Sequence, residues 1–359
     1  MANELTKLLL QEKNVQEAGE LWKKATGPVN LTGLTASVKA GFLCALQEMT
    51  KAAPPLIFLT VNREAIRGLR RELAYFYPDL AMRELYPASL IHGQVDTRNE
   101  QVLAERAAAL EMIYKKEEGI IFVTAEAAIQ KLPQPESLVR ENIKLAPGQE
   151  IEQSQVVEKL VKTGYERTEQ VDTLGQLAVR GDILDVFPIN GKDPVRIEWF
   201  DNTIDVVKRF DLDTQRSTGT LKQVAIMPLA VENQEANASL FQYFSPEQLV
   251  IIDEPAGFFE ECKKSYGDNR EFADQLLDQD TILRQAGETH SLLVSDLGHP
   301  HFPEAPRLHV QVRAMAPYNK NTDLLQKDLK GWLDKGVHPL IMMGTADKAA
   351  GLAESTRPF

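Results

Sequence analysis

At 359 residues the chain exceeds what one compact core usually holds, so two or three domains are expected. Its composition, 43% hydrophobic and 26% charged, is ordinary for a globular protein, and no apolar run approaches the length that crosses a bilayer. A net charge of −12 argues against a protein whose main work is gripping nucleic acid, which takes clustered Lys and Arg. The opening Met1-Ala2-Asn3-Glu4-Leu5-Thr6-Lys7 lacks the basic region and apolar core of a secretory signal. Cys44 and Cys262 are the two cysteines, with no partner at CxxC spacing. That argues against a disulfide framework or a zinc site and fits the cytoplasm.

In chain order, Val29–Thr32 reads as a short strand, followed by a turn and a helix from about Ser37 to Glu48. Leu56-Ile57-Phe58-Leu59-Thr60-Val61 is a continuous apolar run of strand length, as in a parallel strand buried on both faces. The next helix carries Ile66, Leu69, Leu73 and Phe76 at spacings of three and four. Another helix follows, with Leu103, Ala107, Leu110 and Tyr114 expected on one face, and then a second buried strand, Ile120-Ile121-Phe122-Val123. The order β-α-β-α-β implies a parallel sheet covered by helices.

Near residue 142 the pattern changes. After a helix around Gln155–Lys162 come strands with period-two alternation: Gln176–Arg180, Ile183–Phe187, Val195–Phe200 and Thr203–Phe210. Gly191-Lys192-Asp193-Pro194 and Asp201-Asn202 supply the turns between them. This is a small α+β domain set into, or after, the parallel one. Beyond Met227-Pro228-Leu229 the buried-strand style returns with Leu249–Ile252 before Asp253-Glu254, and with Pro339–Met343 before Gly344. The helix-like stretch before Phe359 has no cap, and the expectation is a cut through a longer protein. The expected division is 1–141, 142–228 and 229–359, with the end of the chain entering a further domain.

Gly33-Leu34-Thr35-Ala36-Ser37-Val38-Lys39-Ala40 lies between the first strand and the first long helix, where a phosphate loop GxxxxGK[ST] belongs. Gly33 and Lys39 are in register, but the second glycine is Val38 and the magnesium-binding hydroxyl is Ala40. A β-branched Val38 resists the backbone that Gly accepts there, and Ala40 offers a metal no oxygen. Leu249–Ile252 with Asp253-Glu254 has the form of a Walker B strand, although alone it reads as a buried strand with an acidic turn. Together the two segments suggest an ancestral ATPase core kept for its shape, with Gly33, Val38, Lys39, Ala40, Asp253 and Glu254 vestigial.

The most specific stretch is Ala178-Val179-Arg180-Gly181-Asp182-Ile183-Leu184-Asp185-Val186-Phe187-Pro188. It continues through Val195-Arg196-Ile197-Glu198-Trp199-Phe200-Asp201 to Phe210-Asp211-Leu212-Asp213-Thr214-Gln215-Arg216. It resembles domain 2 of the excision-repair protein UvrB and the matching region of transcription-repair coupling factors (Mfd). The closing Asp-x-Asp-x-Gln-Arg is closer to the latter. Gly164-Tyr165-Glu166-Arg167 and Ile252-Asp253-Glu254-Pro255 fit the same family, and the resemblance covers nearly the whole chain. Two departures separate the chain from UvrB: the altered loop at Val38 and Ala40, and the stretch Tyr77–Asn99. Where UvrB has a tyrosine-rich hairpin, that stretch offers Tyr77 and Tyr86 and no pair of alternating strands.

The resemblance implies a RecA/helicase-like parallel-sheet fold with an inserted domain 2, and a non-catalytic adaptor of transcription-coupled repair. It implies UvrA docking on Arg180, Arg196 and Phe200. RNA polymerase and DNA would be reached only through parts of a longer, translocating protein absent here. No cofactor, metal or membrane is expected. Alternation also sets Val195, Ile197 and Trp199 on one face and Arg196, Glu198 and Phe200 on the other, with Arg180 outward as well. An outward Arg with a Phe is the composition of an interface centre, though Arg196 could equally pair with Glu198 or Asp182 on a solvated sheet. His290, His299 and His301 lack a third ligand by spacing. The rival expectations are a UvrB-type ATPase that recognises DNA damage and a DNA-binding module. The altered loop speaks against the first and the net charge against the second.

Overall fold

The computed structural model describes residues 4–91, 94–95, 100–136, 142–227, 237–296, 302–312, 318, 321–337, 339, 341, 343 and 345–356. The first part of the chain runs α1 (Glu4–Leu9), α2 (Lys13–Lys24), β1 (Val29–Thr32), α3 (Ala36–Thr50), β2 (Ala53–Thr60), α4 (Arg63–Phe76) and β3 (Met82–Leu85). The short β4 (Leu90–Ile91) and β5 (Gln94–Val95), α5 (Glu100–Lys115), β6 (Ile120–Thr124) and α6 (Ala125–Ala128) follow.

The middle holds β7 (Ile143–Leu145), α7 (Gln153–Lys162), β8 (Glu166–Arg167), β9 (Gln176–Arg180) and β10 (Ile183–Val186). It continues with β11 (Val195–Phe200), β12 (Thr203–Phe210), β13 (Ser217–Leu221) and β14 (Val224–Ile226). After it come β15 (Gln248–Asp253), α8 (Pro255–Asp268), α9 (Gln279–Glu288), β16 (Ser291–Ser295) and β17 (Arg307–His309). Residues 313–359 form a separate compact unit with α10 (Thr322–Leu333) and α11 (Ala346–Ser355).

The large sheet has seven strands in the order β17-β1-β16-β15-β2-β6-β3, every pairing parallel. It is the parallel α/β sheet expected from the continuous apolar runs, and it is consistent with the RecA-like fold that the resemblance implies. Successive residues of each run feed opposite cores: Ile57, Ile121, Val250 and Leu293 pack on one side, and Phe58, Phe122, Ile251 and Leu292 on the other. A strand buried on both faces has no polar side to alternate with, which is why these runs look uninterrupted. α4 buries Ile66, Leu69, Leu73 and Phe76, the residues its spacing selects.

The chain leaves this sheet after β6 and rejoins it at β15. The excursion is a second domain whose six-stranded sheet, in the order β13-β12-β11-β10-β9-β8, is antiparallel except for the parallel edge pair β8–β9. β7 and β14 pair antiparallel at its entrance and exit, Ile143 opposite Ile226. Leu103 and Ala104 of α5 join its core, so the insert packs on the large domain.

Three expectations need correction. Tyr114 is 37% exposed: α5 divides its apolar residues between two cores, leaving Tyr114 between them at the surface. The stretch from Tyr77 does contain paired strands, since β4 and β5 pair antiparallel, Leu90 opposite Val95 and Ile91 opposite Gln94, while 92–93 and 96–99 lie outside the described residues. Pro339, Ile341 and Met343 are not in a strand, and Ile341 is 41% exposed, because an apolar run becomes a strand only where a neighbouring strand pairs it. Among the described residues no helix is long and apolar enough to cross a membrane.

Candidate functional site

The segment in the phosphate-loop position is built differently from a cradle. Gly33 adopts φ +83°, and a Cβ there would meet the Val310 carbonyl oxygen at 2.3 Å and the His309 ring at 2.8 Å. Only glycine fits under β17, so packing alone accounts for glycine at this position. Thr35 caps α3, and its carbonyl accepts from the amides of both Val38 and Lys39 at 3.0 Å. The helix therefore starts early enough to consume amides that would otherwise face an anion.

Lys39 Nζ donates to Asp253 Oδ1 at 2.6 Å and to Glu254 Oε1 at 3.0 Å. The Lys39 and Asp253 side chains are 7% and 8% exposed. Thr60 Oγ1 donates to Asp253 Oδ2 at 3.4 Å, and the Asp296 amide donates to Glu254 Oε1 at 3.1 Å. Burial works to lower the Lys39 pKa, but the two carboxylates outweigh it and hold the ammonium above its ordinary range. Burial also pushes the nearby Glu72 carboxyl up, against the pull of Arg71 and Lys39. Ala40 is buried and offers no oxygen. The structure thus brings Lys39, Asp253 and the partly exposed Glu254 together in an ion-pair cluster, with Thr60 as a member that sequence spacing could not supply.

On the antiparallel sheet the two faces differ as alternation implies. Val195, Ile197 and Trp199 are buried in the main core of the domain, and Trp199 Nε1 donates to the Ile151 carbonyl at 2.8 Å. Phe200 lies on the other face, 75% exposed. Arg180 is exposed, its Nη2 donating to the Glu169 carbonyl at 3.2 Å. Ladder register sets Arg180 opposite Ile183, Ile183 opposite Glu198 and Glu198 opposite Val206, so these residues form an open row next to Phe200.

Arg196 shares this face but is occupied. Its Nε and Nη2 donate to the two Asp185 oxygens at 2.7 and 2.8 Å, and its Nη1 donates to the Gln215 carbonyl at 3.2 Å. The guanidinium carbon sits 4.9 Å from the centre of the Phe210 ring. The side chains of Arg196 and Asp185 are 16% and 2% exposed. Hydrogen bonding to Asp185 raises the Arg196 pKa above its ordinary value, against burial. Val171, Ala178, Phe187 and Phe210 form a small second core on this side.

The face is therefore half roofed by the 171–174 and 211–216 segments and half open, with Arg196 at the covered half and Arg180 and Phe200 exposed. Neither of the two ion-pair partners considered from the sequence is used. Asp185 takes that place because ladder register sets it opposite Arg196, whereas Glu198 pairs with Lys208 at 2.8 Å.

Elsewhere, both cysteines are free and buried, and burial pushes the Cys262 thiol up to about 12. His290 stacks on Trp22 at 4.3 Å, and its ring nitrogens lie 2.9 Å from the Trp22 carbonyl and 3.2 Å from the Pro246 carbonyl. His299 and His301 lie outside the described residues. Among the described residues no group of three or more His, Cys, Asp and Glu could hold a metal ion.

Comparison with known proteins points to the same domain. Residues 143–230 match the UvrB interaction domain family. A transcription-repair-coupling factor of Bacillus subtilis (strain 168) is 30% identical over 199 residues, covering 55% of this chain and 17% of that protein. One from Staphylococcus aureus (strain MRSA252) is 29% identical over 223 residues, covering 62% and 19%. Another, from Staphylococcus aureus (strain bovine RF122 / ET3-1), is 28% identical over 222 residues, with the same two shares. The matched stretch spans under a fifth of the length of these curated relatives.

Proposed function

We propose that this chain, which carries a UvrB interaction domain and resembles the transcription-repair-coupling factors, is a non-catalytic adaptor that recruits UvrA to excision repair through residues 142–228. The observation that carries the reading is the exposed Phe200 beside outward Arg180 on the sheet of that domain. A large aromatic held 75% in water is costly to leave uncovered, and an aromatic with Arg at the centre of a patch is the usual make-up of an interface hot spot. Residues 1–141 and 229–312 then serve as the nucleotide-fold platform that presents the domain. Translocation on DNA and contact with RNA polymerase would belong to the remainder of a longer protein.

The non-catalytic part of the reading is supported by the Lys39–Asp253–Glu254 pairing and by the use of the Val38 and Lys39 amides inside α3. A lysine held by the carboxylates that would otherwise hold magnesium, and an alanine where a hydroxyl ligand belongs, leave little for magnesium-nucleotide to bind. The test is UvrA capture by the full chain and its variants. Phe200→Ala and Arg180→Ala should each cost on the order of 2 kcal/mol, about thirtyfold in affinity, with an unchanged thermal melt. Parent-like binding by both variants would remove the site.

A further inference from the structure

The Asp211–Arg216 segment closes the most specific stretch of the sequence, yet the docking reading gives it no role. In the structure it is a compact turn. The Gln215 amide donates to the Asp211 carbonyl at 2.8 Å, and the Asp211 amide donates to the Arg216 carbonyl at 3.0 Å. Asp211 Oδ1 accepts from the Thr214 amide at 2.9 Å and from its hydroxyl at 2.7 Å. Gln215 sits at φ +56°, a left-handed conformation that costs a non-glycine residue and persists only where its surroundings hold it.

Two things hold it. The Gln215 side chain donates to the Leu212 and Val171 carbonyls at 2.8 and 3.4 Å, and Arg196 donates to its carbonyl. Arg196 is itself fixed on the sheet by the bidentate bond to buried Asp185 and by the Phe210 ring beside it. The chain Asp185–Arg196–Gln215 is therefore a clamp from the sheet to the turn. At the outer end of that turn Arg216 is exposed, and among the described residues it makes no ion pair.

We propose that the Asp211–Arg216 turn is part of the docking surface, and that Arg196 serves docking as a positioning residue that holds this turn rather than as a contact. The inference rests on the adaptor reading above. With Nε, Nη1 and Nη2 each engaged internally, Arg196 has little left to offer a partner. On this face Arg180 and Arg216 offer exposed guanidinium groups, and Phe200 with the partly exposed Ile183 and Val206 is the apolar element. The partner surface that fits carries separate carboxylates for the two arginines and an apolar recess for Phe200.

The experiment is a double-mutant cycle on the full chain with UvrA as the probe, read as dissociation constants, with hydrogen exchange at residues 211–217 measured in parallel. Arg216→Ala should weaken binding about tenfold, and Arg196→Ala about thirtyfold. The double variant should be no weaker than Arg196→Ala, because the contribution of Arg216 is already lost once the turn is released. Asp185→Asn, which leaves Arg196 in place but loosens its anchor, should weaken binding as Arg196→Ala does. Both clamp variants should speed exchange in the turn, whereas Arg216→Ala and Phe200→Ala should not.

Additive losses in the cycle, or parent-like affinity of Asp185→Asn, would mean that Arg196 touches the partner directly, and would overturn the proposal. Arg216→Ala is a surface change that leaves folding alone, so a neutral result there overturns it without depending on the buried variants. A parent chain with no affinity for UvrA removes the adaptor reading itself, and the proposal with it.

Discussion

Lys39 is the residue where the sequence and the structure carry different parts of the story. Its place in a GxxxxGK-like string suggests a phosphate-loop position, but the string is silent on where the ammonium goes. In the fold it reaches the end of β15, where it pairs with Asp253, which also accepts from Thr60, and with the partly exposed Glu254. A buried pair broken from one side costs about 3–5 kcal/mol, because the remaining charge is stranded. Lys39→Met should therefore lower unfolding free energy by an amount of that order, read from urea melts.

The pH dependence has a defined sign. The folded pKa of Lys39 lies above its ordinary 10.5, so its stabilisation is complete below 10.5 and is lost as pH rises through the folded value. The parent should thus lose stability more steeply than Lys39→Met above that pH; equal slopes would show that the pair adds nothing. Arg196 shows a similar division. Alternation gave its face correctly, but its partner Asp185 is opposite only by ladder register, which a single strand does not encode.

At the scale of elements, the buried strands were legible because they need little context. β2, β6 and β15 are apolar at nearly every position, and both faces of the sheet are covered. Short elements that exist through their neighbours were not: β8, β17 and the β7–β14 pair are two or three residues long and are defined by pairing rather than by pattern. α2 was missed although its buried Val15, Ala18 and Trp22 follow helical spacing, since a mostly polar segment hides so narrow a stripe.

The early start of α3 carries a functional expectation. Val38→Gly with Ala40→Thr restores the letters of the motif, but Lys39 remains paired and β17 still covers Gly33. Calorimetric titration with magnesium-ATP should show no saturable binding by the parent and none gained by the double variant. Micromolar affinity in the parent would end the non-catalytic reading. Within the small domain, Trp199→Ala should cost about 3–5 kcal/mol, read in its thermal melt, because the ring is buried and its Nε1 is bonded to Ile151.

For the molecule as a whole, the question is whether an acidic chain can still hold DNA through a local basic surface. α4 is the best place to look, since it carries Arg63, Arg67, Arg70 and Arg71. Arg63 is paired with Glu84 at 2.8 Å, and Arg70 donates to the Met82 carbonyl at 3.4 Å while lying over Phe122. That leaves Arg67 and Arg71, both exposed and one helical turn apart. Two cations neutralise about two phosphates, which predicts a slope of log affinity against log salt near −2, against −6 or steeper for proteins that grip duplex through many contacts.

The remaining surface works against association, because the net charge of −12 repels the duplex at distances beyond those contacts. Fluorescence anisotropy with damaged and undamaged duplexes at about 0.15 M salt should therefore give dissociation constants weaker than ~10 µM and no preference for the lesion. The α4 variant Arg67→Ala with Arg71→Ala should remove most of what binding appears at low salt, whereas Arg180→Ala and Phe200→Ala should leave it unchanged. Submicromolar binding with a steep salt slope would place a basic groove elsewhere on the chain and turn the reading from partner recruitment toward direct handling of DNA. A shallow slope abolished by the α4 pair would confine DNA contact to that helix and leave the antiparallel sheet for protein.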